Sequence, residues 1–86
     1  MPEVSRFFGI VIKMYYDKHL PPHFHALYGG AEGQIGIDPI QVLKGELPSR
    51  VVSMVIEWAA LYQYELKQDW ELARADQEPH KIPPLR

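Results

Sequence analysis

The chain has 86 residues, 47% of them hydrophobic and none of them cysteine, with a formal net charge of -2 and a pI near 6.0. That suffices for one small core with little reserve stability. It excludes a disulfide framework, a thiolate metal site and the basic excess that drives tight sequence-independent binding to nucleic acid.

The longest apolar run, Phe7 to Ile12, is too short to cross a bilayer. The first residues, Met1 to Arg6, lack the basic start and apolar middle of a secretory signal. The expected location is therefore cytoplasmic, without a membrane partner. Phe7 to Tyr16 is rich in aromatic and β-branched residues and predicts one strand. Phe8, Ile10, Ile12, Met14 and Tyr16 would lie on one face, with Gly9, Val11, Lys13 and Tyr15 on the other. Asp17 to Pro22 predicts a loop, extended by Pro21 and Pro22.

A second strand is expected over His23 to Tyr28. Alternation puts His23, His25 and Leu27 on one face and Phe24, Ala26 and Tyr28 on the other. Gly29-Gly30 suits a tight hairpin turn, so an antiparallel strand should follow over Glu32 to Asp38. Burial demands that Ile35 and Ile37 join Phe24 and Tyr28, which sends Glu32, Gln34 and Asp38 to the histidine side. Ile40 to Lys44 predicts a short edge strand.

Pro48 fits the first helical position, where a missing amide costs nothing. Val51, Met54, Val55, Trp58, Leu61, Tyr62 and Leu66 then recur at helical spacing. No proline or glycine interrupts residues 49–78, yet a straight helix of roughly 40 Å would overrun a domain of this size. A bend is expected, with Gln68-Asp69 capping a short second helix that carries Trp70 and Ala73. Residues 79–86 form an irregular, proline-rich tail pinned by Ile82 and Leu85.

The predicted fold is α+β: an antiparallel three- to four-stranded β-meander, one long amphipathic helix packed on one face, and a short C-terminal helix. Residues 1–86 make a single domain. The uncovered face would present His23, His25, Leu27, Val11, Lys13 and Tyr15, a surface suited to a protein partner or a second copy in a homodimer.

Three of the four histidines, His19, His23 and His25, fall within seven positions. One reading is structural, with imidazoles bonded to the proline loop. A second is a site for a first-row divalent metal such as zinc, since a His-x-His pair on a strand directs both rings to one side; His19 or Glu32 would complete the set. A third is acid–base catalysis by His23 and His25, because imidazole titrates near neutrality. Lys13 or Arg6 would then steady a phosphate, and a local patch of Arg6, Lys13, Lys18 and the histidines could meet RNA despite the acidic balance. Asp17 is placed to orient His19. Arg6, Lys13, Tyr15 and Tyr28 are the candidate partner or substrate contacts, whereas Trp58 and Met54 lie on the helix's apolar stripe and belong to the core.

Ser5 to Ile10, His19-Leu20-Pro21-Pro22-His23-Phe24-His25-Ala26, Tyr28-Gly29, Gly45-Glu46-Leu47-Pro48, Glu57-Trp58 and Trp70 to Ala73 together resemble a family of small prokaryotic proteins classed as a domain of unknown function, DUF4160. The resemblance spans nearly the whole chain. It implies that His19, His23 and His25 stand at the family's histidine positions, with Leu20 where a small polar residue is common. It also implies one half of a two-gene module of toxin–antitoxin type, acting through a protein partner.

Overall fold

The computed structural model describes residues 2–16 and 19–86. Five strands, β1 (Glu3–Phe7), β2 (Ile10–Lys13), β3 (His23–Tyr28), β4 (Ala31–Gly36) and β5 (Val42–Gly45), precede two helices, α1 (Ser49–Leu61) and α2 (Gln63–Arg74). The strands form one antiparallel sheet in the order β1-β2-β3-β4-β5. The architecture is thus the expected α+β meander, with five strands instead of three or four.

The extra strand comes from a turn inside the segment read as one strand. Phe8 and Gly9 have φ of +49° and +79°, the double positive φ of a two-residue hairpin turn that matches strand twist. Phe7 consequently pairs with Ile10, and Arg6 with Val11. Phe8 and Tyr16, both expected on the apolar face with Ile10, are instead 61% and 47% exposed. A bulky residue in the left-handed region is uncommon, which is why this apolar run conceals its own turn.

β3 behaves as its alternation predicts. Phe24 pairs with Ile35 and Ala26 with Gly33, and Phe24, Ala26, Ile35 and Ile37 are buried in the core with Ile10, Ile12 and Met14. The last strand needs a glycine at its end: Gly45 has φ +88°, and a Cβ there would collide with the Glu32 carbonyl oxygen.

α1 buries Val51, Val55, Trp58 and Ala59. Trp58 is the hub, its ring 5.4 Å from Phe7, 5.7 Å from Phe24 and 6.0 Å from Tyr62. The helix does bend, but at Tyr62, not at Gln68-Asp69. A straight helix from Ser49 to Arg74 would run roughly 39 Å, beyond the 33 Å longest dimension of the molecule. At the break, Gln63 Nε2 reaches across the fold and donates to the Ile37 carbonyl at 2.7 Å, while the Tyr62 ring lies tilted against Trp58 one turn earlier. α2 is therefore nearly as long as α1, and Asp69, expected as a cap, is buried within it. Leu61, expected on the apolar stripe, is 64% exposed at this break.

The tail is irregular but ordered. Ile82 and Leu85 are buried, the Ile82 amide donates to the Val4 carbonyl at 2.8 Å, and Trp58 Nε1 donates to the Pro83 carbonyl at 2.8 Å. Among the described residues, no helix is long and apolar enough to cross a membrane.

Candidate functional site

Residues directly opposite one another in an antiparallel sheet project to the same side. The register therefore lays Glu3, Lys13, His25, Gln34 and Lys44 in one row across all five strands. A second row holds Arg6, Val11, Leu27 and Glu32. Both rows face away from Phe24 and Ala26, hence away from the layer occupied by Trp58.

His25 lies at the centre of the first row and is only 9% exposed. Its Nδ1 is 2.8 Å from Glu32 Oε2. An ionised carboxylate only accepts, so Nδ1 carries the hydrogen, and in the neutral ring the lone pair resides on Nε2. Tyr15 packs edge-on against the imidazole at 4.3 Å between centroids. Burial, then the Glu32 carboxylate, raises the Tyr15 hydroxyl above its ordinary pKa.

His23 shares the side of His25, with ring centroids 5.4 Å apart. Its Nδ1 donates to the Pro21 carbonyl at 2.8 Å, and its ring lies 5.3 Å from that of Trp70 on α2. The proline loop and the indole clamp this ring in place. His19 is exposed and lines a cleft with Leu20, Pro21 and His23.

The two imidazoles thus lie on the same side of β3, both buried, with His23 against Trp70 of α2 and with Lys13 and Tyr15 beside His25. Arg6 lies on this side in the second row but is held by Glu3 at 2.8 Å; Tyr28 and Asp38 are engaged away from the histidines. Tyr28 packs against the core, accepts a hydrogen bond from Arg50 at 2.6 Å and lies under that guanidinium. Asp38 turns from the histidines to pair with Lys67 of α2 at 2.9 Å. Asp17 and Lys18 lie outside the described residues. Among the described residues, no group of three or more His, Asp or Glu side chains is gathered as a metal ion needs, so the His19, His23, His25 ligand set gains no support there.

Two participants escaped the sequence reading. Lys44 reaches the row because β5 pairs through an irregularity between Gln34 and Ile35, and a bulge shifts facing by one residue without a signal in composition. Trp70 supports His23 from a helix distant in sequence. No periodicity within β3 could disclose it.

The sequence pattern of a domain of unknown function, DUF4160, matches residues 9–71. The chain belongs to the DUF4160 family. That match takes in β2 through β5, α1 and most of α2, and with them His25, Glu32, Gln34 and Lys44. No curated protein and no solved structure matches the chain.

Proposed function

We propose that this DUF4160 chain is a histidine-dependent enzyme that cleaves single-stranded RNA in the cytoplasm, as one component of a two-protein module. The carrying observation is the 2.8 Å contact between His25 Nδ1 and Glu32 Oε2. A carboxylate on Nδ1 fixes the tautomer and ring orientation and makes the imidazole a stronger base at Nε2. Lys13, directly opposite His25 on β2, supplies a cation where phosphate charge grows. The net charge of -2 describes the whole surface, whereas this face sets lysines along the row that contains the imidazole.

The chemistry balances without a co-reactant. His25 Nε2 takes the proton of a ribose 2′-hydroxyl, the 2′ oxygen bonds to phosphorus, and the bond from phosphorus to the 5′ oxygen breaks. The departing oxygen takes a proton from solvent, leaving a 2′,3′-cyclic phosphate and a 5′-hydroxyl. Glu32 holds the imidazolium while it carries the extra proton.

A protein partner, as the family resemblance implies, would bind the same face. Tyr16 and Leu20, 47% and 68% exposed beside the histidine loop, offer apolar anchors for a protein that would cover His25.

The test is incubation of purified protein with end-labelled RNA beside His25→Ala and Glu32→Gln. Proton transfer by a positioned side chain contributes on the order of 10²–10⁴ in rate. His25→Ala should lose at least about 100-fold, and Glu32→Gln about 10–100-fold, the usual cost of removing a partner that orients a functional histidine. Wild type and His25→Ala equally inert on RNA would overturn the proposal.

A further inference from the structure

Two clefts open on the histidine side. One, of about 260 Å³, is lined by His25, Glu32, Gly33, Gln34, Lys44 and Gly45. The other, of about 270 Å³, is lined by His19, Leu20, Pro21, His23, Gln34, Leu43 and Lys44. Gln34 and Lys44 line both, so the two clefts adjoin across these side chains, as two lobes of one groove along the sheet.

The lobes differ in chemistry. The first contains the ion-paired imidazole; the second has an apolar lip of Leu20, Pro21 and Leu43, with Leu20 68% exposed. Lys44 stands two strands from His25, about 10 Å at the usual strand spacing, and its four-carbon stem spans much of that gap.

Resting on the acid–base reading of His25, we infer that this groove takes two consecutive nucleotides of a single strand, with Lys44 on the phosphate between them. The lip of Leu20, Pro21 and Leu43 receives one base by apolar contact with its face. The ribose that reacts lies in the His25 lobe. Gln34, able to donate and accept, faces both nucleotides from between the lobes. Lys44 is thus a substrate-binding residue that acts on KM more than on kcat.

The probe is a dinucleotide of two 2′-deoxyuridines joined by one phosphodiester, which lacks the 2′-hydroxyl needed for cleavage, compared with the nucleoside 2′-deoxyuridine, which lacks the phosphate, in titrations across a range of salt. We expect the dinucleotide to bind at least about tenfold more tightly, the worth of a hydrogen bond to a charged group. Lys44→Gln should remove that advantage and lower the salt dependence by close to one phosphate contact, while Lys44→Arg restores it. Lys44 is exposed on an edge strand, so its replacement leaves the core untouched, and the melting curve verifies this. A dinucleotide that binds no better than the nucleoside, or binding indifferent to Lys44→Gln, overturns the groove. RNA cleavage by wild type in that event leaves the His25 reading standing. Conversely, Lys44-dependent binding in a protein that cleaves no RNA upholds the groove and removes the catalytic reading.

Discussion

β3 contributes alternate residues to two surfaces that reach similar burial by different physics. On the helix side, Phe24 and Ala26 are fully buried in a cluster of Ile10, Ile12, Ile35 and Trp58, where affinity for neighbours is non-directional and scales with area. On the other side, no helix lies over His25, yet His23 and His25 are only 6% and 9% exposed. Their cover is directional: the Pro21 carbonyl and Glu32 carboxylate on one nitrogen of each ring, and Trp70 and Tyr15 against the ring faces and edges. The first surface sets whether the chain folds. The second sets where a proton is held.

The sharpest way to break this division is to truncate one residue on each side of the strand. Phe24→Ala should cost roughly 3–5 kcal/mol, as deletion of a core aromatic does, a large part of the roughly 5–15 kcal/mol available to a small domain. Urea titration followed by tryptophan fluorescence should show a steep fall in midpoint. His25→Ala should cost less, about 1–2 kcal/mol, because it removes one hydrogen bond and the edge contact with Tyr15 but leaves Glu32, about half exposed, hydrated. A His25→Ala loss matching that of Phe24→Ala would make the imidazole a structural element and abolish the distinction.

The same division explains what could be read from the chain. The His23–Tyr28 strand, the facing of Glu32 and Gln34, the amphipathic α1 and the pinning of Ile82 and Leu85 all follow from period and turn chemistry within a short window. The Phe8-Gly9 turn does not, because an aromatic in the left-handed region carries no turn signature beyond the glycine after it. Nor does the break at Tyr62, which lies in a good helical sequence and coincides with a contact across the fold, from Gln63 to Ile37. In the site, the His25–Glu32 pair was accessible through hairpin register. Lys44 required knowledge of a bulge, and Trp70 required knowledge of how α2 folds back.

His23 tests the boundary between the two surfaces, since Trp70 joins it to the helix layer. His23→Ala removes the bond to Pro21 and the contact with the indole, at an expected cost of about 1–2 kcal/mol, or a fall in melting temperature of about 4–8 °C per kcal/mol in a domain of this size. RNA cleavage should fall less than in His25→Ala, with the proline loop loosened but the His25–Glu32 pair retained. Equal losses of activity with no change in melting temperature would assign His23 to proton transfer instead of support.

The smallest expected effect comes from a polar group buried on the helix side. Asp69 is 1% exposed. Its Oδ1 accepts the His80 amide at 2.8 Å, whereas Oδ2 has no hydrogen-bond partner, in contrast to the engaged nitrogens of His23 and His25. Burial raises its pKa above 3.8, aided by Glu65 one turn away and opposed by the His80 amide and imidazole. The folded chain thus binds the Asp69 proton more tightly than the unfolded chain does, so this group's contribution is greatest below the ordinary carboxylate pKa. It declines as pH rises to the folded value and stays constant above it. Asp69→Asn keeps an acceptor for His80 and does not titrate. Its melting temperature should exceed that of wild type at neutral pH, and the gap should close on acidification as the native carboxyl takes up its proton. A gap constant with pH would mean that burial leaves the carboxyl's titration unchanged, and one that widens toward acid would mean that the charged form is stabilised and that the helix side, too, satisfies its polar groups one by one.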